Sequence, residues 1–296
     1  MSNVYYATLV FDPDPDNRIL AVENGYGLDI LIHDPVPEVR MAVALMGYRL
    51  NELTNDPDPL VKETATYMSY VNDSDSNKRL LAAEHGFGLD TLVCDPDPWV
   101  RIAVAEHGAG LDILVHDKSF DVRAEVARQG FGLNILINDK YWAVRKAVAE
   151  QGYKLDKLVN DESWRVRKIV AEQGVGLEVL INDPVPEVRQ AVVRQGYGLD
   201  ILIKDTSRAV RATVADRGYG LDILIDDKDE FVRRAVAEQG YGLDKLVKDE
   251  SYIVRAAVAK RGFGLEMLVK DEDWRVRNIA ENTMLRMTSN NQGGKQ

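Results

Sequence analysis

A seven-residue phrase recurs along this chain: an aspartate, four variable residues, then an apolar-basic pair that is usually Val-Arg. Its recurrence restricts the fold more than any other feature. Asp34–Arg40 and Asp183–Arg189 are identical copies. The leading aspartate stands at 12, 34, 56, 73, 95, 117, 139, 161, 183, 205, 227, 249 and 271, thirteen copies in 296 residues. Six residues on there is always a base, arginine in twelve copies and Lys62 in the other. Copies are 22 residues apart, except for a step of 17 between Lys62 and Arg79. A fixed period of that size means stacked supersecondary units rather than one globular core.

Each unit reads as two helices. In Asp183–Gly196 the apolar Val188, Ala191 and Val192 follow i, i+3, i+4, one face of an α-helix. The position four before the base is Asp or Ser in ten of thirteen copies, and Pro follows it at 15, 37, 59, 98 and 186. Asp or Ser before Pro is an N-cap followed by N1. Gly ends the helix in eleven copies, from Gly25 to Gly262, as a left-handed residue after the last turn does. A Gly-aromatic-Gly-Leu-Asp-x-Leu-Ile stretch follows, as at Gly218–Ile225. It is long enough for one or two turns, α or 3₁₀. Small residues at the third and fourth positions after the base (Val148 and Ala149, for example) allow neighbouring helices to approach. No stretch shows the sustained alternation of a strand.

The expected architecture is therefore all-α: a solenoid of thirteen units of about 22 residues, each a longer α-helix with a short α or 3₁₀ helix. Residues 1–11 read as a capping half-repeat, 12–288 as the solenoid, and the polar stretch 289–296 as a disordered tail. Residues 56–72 form the irregular unit. There Ser69 replaces the stop glycine and five residues of the short helix are missing, which predicts a kink or a change of superhelical path.

Net charge is -11. That argues against general nucleic-acid binding, which needs a basic footprint, and favours basic partners. The single cysteine, Cys94, excludes an internal disulfide and any multi-cysteine metal site. With no signal peptide or membrane-spanning run in view, the sequence reads as cytoplasmic.

The Asp…Val-Arg phrase resembles the signature of HEAT repeats. The 22-residue period, the Asp-Pro-x-Pro openings and the short second helix are closer still to the leucine-rich repeat variant (LRV) family. The resemblance covers about residues 9–288. It implies a right-handed α-solenoid in which the Asp and Arg columns bridge neighbouring layers. It implies no catalytic site. One LRV member carries an iron–sulfur cluster on N-terminal cysteines that this chain lacks, so no cofactor is expected.

Thirteen equal copies cannot each be an active site. The Asp and Arg columns, including Asp95, Arg101, Asp117, Arg123, Asp139, Arg145, Asp161 and Arg167, therefore read as a structural ladder. The aromatic after each stop glycine reads as a side chain folded back on the last turn. His85 and His107 occupy equivalent places one layer apart, a weak basis for a metal site. The departures from the pattern carry more. Leu45-Met46 and Tyr67-Met68 stand where other units carry polar pairs such as Glu150-Gln151, and Met41 is close by. They form either an adaptable contact surface or the repacked interior of the shortened unit. A second candidate surface is the aromatic edge at the first helical turn, with Trp99, Trp142 and Trp164.

The functional expectation is a non-enzymatic scaffold that binds a protein or peptide. Two rivals remain: a HEAT-like enzyme acting on nucleic acid, of the DNA alkylation-repeat kind, and an acidic mimic of DNA that blocks a DNA-binding protein.

Overall fold

The computed structural model describes residues 3–293, which hold twenty-five helices and no strand. The chain divides into two compact units, residues 1–151 and 152–296. In the first, the long helices are Pro15–Glu23, Pro37–Leu45, Pro59–Tyr70, Ser76–Glu84, Pro98–Glu106, Phe120–Arg128 and Trp142–Glu150, preceded by Asn3–Leu9. In the second they are Trp164–Glu172, Pro186–Arg194, Arg208–Asp216, Glu230–Glu238, Tyr252–Lys260 and Trp274–Gly293. Within each unit consecutive long helices pack side by side. Four-residue helices such as Leu28–Leu31 and Leu221–Leu224 lead from one to the next. The chain is a helical-repeat protein.

Local chemistry sets the boundaries. Asp14, Asp58, Asp75, Asp97 and Asp229 hold extended backbone at the N-cap, and each carboxylate accepts an amide of the first turn. Ser119, Ser163, Ser207 and Ser251 occupy the same place without making that bond. The Ser251 hydroxyl instead donates to Glu230 of the preceding repeat. At the other end Gly25 has φ +79°. Its amide donates to Val22 O, and the Tyr26 amide donates to Ala21 O. This paired closure satisfies two orphan carbonyls, and the aromatic column supplies the residue after the glycine.

The interior is built from columns. Val39, Val61, Val100, Val188, Val210 and their equivalents are fully buried, as is the alanine or valine column that follows the base. Leu31, Leu92, Leu180 and Leu224 bring in the short helices. Each buried leucine is worth about 1.5–3 kcal/mol of transfer free energy. The second glycine of each turn locks neighbours together. A Cβ on Gly198 would lie 2.2 Å from Ile181 Cδ1, and one on Gly110 would lie 2.3 Å from Val93 Cγ2. The Gly-x-Gly is thus a turn pressed against the previous repeat. Arg49 and Lys154 replace this glycine and still take φ near +46° and +45°, a left-handed conformation that costs a non-glycine residue about 1–3 kcal/mol.

The irregular unit shows what the missing residues do. Its long helix runs twelve residues, Pro59–Tyr70, straight through Ser69, and no separate short helix follows. Val71 nevertheless stays buried, and a Cβ on Gly88 would meet it at 2.5 Å. The clamp between repeats survives the shortening. At the C-terminus the last helix continues to Gly293. It thereby includes residues 289–293 of the stretch that the sequence assigns to a disordered tail; residues 294–296 lie outside the described residues.

Candidate interaction surface

The acid and base columns meet in one repeated geometry. Arg18 Nε and Nη2 donate to the two carboxylate oxygens of Asp34, at 2.7 and 3.0 Å, while Nη1 donates to the Asp12 carbonyl of its own repeat. Asp34 Oδ1 also accepts the Val36 amide at 2.9 Å. The same fork joins Arg40 to Asp56, Arg79 to Asp95, Arg101 to Asp117 and Arg123 to Asp139 in the first unit. In the second it joins Arg167 to Asp183, Arg189 to Asp205, Arg211 to Asp227, Arg233 to Asp249 and Arg255 to Asp271. Arg145 Nη1 donates to the Asp139 carbonyl, and Asp161 accepts the Ser163 amide.

The fork side chains are largely withdrawn from solvent, none more than 13% exposed. Burial is the largest influence on Asp34, Asp95, Asp117, Asp139 and Asp227 and pushes their pKa values up. The arginine fork, the turn amide and the neighbouring positive charge together outweigh it, so all five lie below the usual aspartate value. For Asp56 and Asp271 the arginine hydrogen bond is itself the largest influence, and the direction is the same.

One rung is missing. Lys62 stands exposed and makes no ion pair among the described residues. Asp73, its counterpart in the next repeat, pairs instead with Lys78 of its own repeat at 2.8 Å.

A second ladder, which the sequence reading did not find, crosses the other end of the long helices. Gln151 Nε2 donates to the Arg128 carbonyl, Gln195 Nε2 to the Glu172 carbonyl, and His107 Nε2 lies 3.0 Å from the Glu84 carbonyl. Each partner carbonyl is a helix-end acceptor of the preceding repeat. The column is mostly Gln, His or Arg, with Asn24 and Thr283 in the first and last repeats, so no single residue type announces it. Met46 and Met68 occupy this column and cannot donate.

Met46 and Met68 thus both fall in the column of the second ladder, and only Met68 belongs to the repeat whose fork is missing; Arg40, in the repeat of Met46, keeps its fork to Asp56. Two outward positions of the long helix carry i, i+4 ion pairs elsewhere: Lys146–Glu150, Lys168–Glu172 and Arg234–Glu238. In the second repeat the same positions are Met41 and Leu45. Leu45 is 49% exposed and Met46 46%, while Met41 is half-buried against the first core cluster. Tyr67 is half-buried, stacked on His85 with ring centroids 4.0 Å apart and on Phe87 at 5.5 Å. The shortened unit has taken in Tyr67, but not Leu45 or Met46. Met68 lines an open cleft of about 550 Å³ with Gly47, Arg49, Leu50, Asn51 and Ser69.

The aromatic edge divides. Trp99 is 66% exposed and Trp142 40%, whereas Trp164 is half-buried under the Arg165 guanidinium at 4.7 Å. His85 and His107 are each held by local acceptors or by Tyr67. Among the described residues no group of three or more His, Cys, Asp or Glu side chains is placed to hold a metal ion. No helix there is long and apolar enough to cross a membrane. Cys94 is exposed and unpaired. A scan against models of known protein families finds no match, and a search of curated proteins finds none either.

Proposed function

We propose that the chain is a HEAT-like α-solenoid of the LRV type, acting in the cytoplasm as a non-enzymatic scaffold for a protein or peptide. The observation that carries this reading is the exposure of Leu45 and Met46. They interrupt columns that elsewhere are spent on ion pairs and carbonyl bonds, so no demand of the repeat itself explains them. Exposed apolar groups beside a cleft suit an adaptable contact.

The reading is tested by selecting binders from a displayed peptide library and measuring their affinity for Met46→Glu. Loss of at least about tenfold (~1.4 kcal/mol) with an unchanged melting temperature is expected. A variant that unfolds returns Met46 to core packing, and a library that yields no binder defeats the scaffold reading.

The net charge of -11 counts against an enzyme gripping a nucleic-acid backbone. The DNA-mimic reading needs evenly spaced free carboxylates. The column at the head of each repeat does not supply them, because it is engaged by arginine. The short helices do expose Asp29, Asp112, Asp200 and Asp222. Each is followed by an exposed isoleucine, at 30, 113, 201 and 223, which imitates nothing on a phosphate backbone. Absence of competition between this chain and duplex DNA for DNA-binding proteins is the expected result.

A further inference from the structure

We propose that Trp99 and Asp97 form a docking point for an arginine side chain of a basic polypeptide partner. The template for the site is elsewhere in the same molecule. At the equivalent place in a later repeat, Phe231 lies under two guanidinium groups. Arg208 is 4.7 Å and Arg234 5.6 Å from the ring centroid. Arg208 also reaches Asp229, the N-cap carboxylate of that helix, at 3.4 Å. Ring, carboxylate and guanidinium thus make one assembly, and the protein supplies all three parts.

Four other aromatics of this edge are served in similar ways, whereas Trp274 at the last repeat is 63% exposed with no ring or cation against it among the described residues. Tyr141 has Lys140 at 5.0 Å and Arg123 at 5.7 Å, Trp164 has Arg165 at 4.7 Å, and Tyr252 has Arg275 at 3.6 Å. Phe120 stacks on Tyr141.

In the repeat of Trp99 the ring and the carboxylate are kept and the cations are gone. Counted from the base of each repeat, the places of Arg208 and Arg234 are taken by Ser76 and Ile102. Among the described residues no ring and no cation lies against Trp99, which is 66% exposed. Asp97 Oδ1 holds the Trp99 amide at 2.9 Å, as Asp229 Oδ1 holds that of Phe231. Asp97 Oδ2 has no partner among the described residues. Exposed carboxylates at Asp75 and Asp121 stand in the two adjoining repeats on the same edge. Indole is the strongest of the aromatic faces for a cation, and arginine the cation most often found there. The planar fork lets one side chain stack on the ring and hydrogen-bond a carboxylate at once. An incoming arginine would complete at Trp99 the assembly that Arg208 completes at Phe231.

The inference rests on the scaffold reading only in taking the ligand to be a polypeptide; its site is separate from Leu45 and Met46. The test uses the full chain and a nine-residue Gly/Arg peptide, with affinity measured by calorimetry and indole fluorescence. Trp99→Ala is expected to weaken binding roughly five- to tenfold. Ser76→Arg, which supplies the ring with the protein's own guanidinium, is expected to do the same while the fold stays intact. Replacing arginine by citrulline in the peptide should abolish binding. Peptide binding that ignores both variants and responds only to salt overturns the proposal, as does no binding to the unaltered chain. Met46→Glu should leave this peptide's affinity unchanged. Loss with Met46→Glu alone places the arginine at the other surface and overturns the proposal, while the scaffold reading stands.

Discussion

The two compact units use the same repeat to different ends. In the second, the five arginine forks from Arg167–Asp183 to Arg255–Asp271 follow one another without a gap. Its outward helix positions are largely polar, with Lys168–Glu172 and Arg234–Glu238 paired. Where charge is crowded there, Asp216 is pushed above its usual pKa, first by burial and then by Glu238. The first unit also has five forks, but with a gap between Lys62 and Asp73. Close to the gap its outward positions are Met41, Leu45 and Met46. Leu45 and Met46 stand where other repeats place ion-paired or carbonyl-bound side chains, and they remain exposed.

The comparison breaks most directly if the two parts respond alike to loss of a base. Arg211→Ala leaves Asp227 buried without its fork and should cost about 3–5 kcal/mol. Lys62→Ala should stay within about 0.5 kcal/mol, as for a surface change away from any special feature. Denaturant melts with site-resolved hydrogen exchange distinguish the two, and equal costs would remove the asymmetry.

Acid provides a broader test. Seven rung aspartates, Asp34, Asp56, Asp95, Asp117, Asp139, Asp227 and Asp271, are held below the usual aspartate pKa by their arginine forks and turn amides. Their stabilisation is complete above that value and is lost as pH falls through the lowered folded values. Protection against exchange, corrected for the intrinsic rate, should therefore fall in the helices joined by these seven aspartates once the pH drops below the usual aspartate value. The junction between Pro59–Tyr70 and Ser76–Glu84 should change less, because Asp73 is paired within its own repeat. A uniform acid response would contradict this.

The smallest effect sharpens the comparison instead. Met46→Gln restores a donor to the second ladder, within reach of the Glu23 carbonyl by the pattern of Gln151 and Gln195. It should stabilise the first unit by about 0.5–1.5 kcal/mol, seen as slower exchange over Pro15–Glu23 and Pro37–Leu45.

Much of the fold was legible because its determinants are single residue types at fixed intervals. Asp and Arg six apart, Pro at the helix start and Gly at its end each have one dominant physical role, and thirteen copies average out exceptions. The second ladder was not legible, because its members are of different types, Gln at 151 and 195 and His at 107, and reach to a carbonyl rather than residue type qualifies them. Nor did the sequence show which N-caps bond. Asp stands there in six copies and Ser in four, yet the aspartates accept first-turn amides and the serines do not. For the candidate surface, the sequence marked Leu45, Met46, Tyr67 and Met68 but could not sort them. That depended on the ring of Tyr67 reaching His85 and Phe87 across a shortened repeat.

The clamp between a buried Val or Ile near the end of one repeat and the second glycine of the next repeat's turn, Ile181 on Gly198 and Val71 on Gly88 alike, has a consequence for how such a chain can change size. Within each unit most junctions are made from the same two surfaces, one on each neighbour. A whole repeat can be removed or copied in from any starting point, and the surfaces that then meet are ones already adapted to each other. Growth by duplication therefore requires no new interface, and the number of repeats is free to vary while the shape of each join is not.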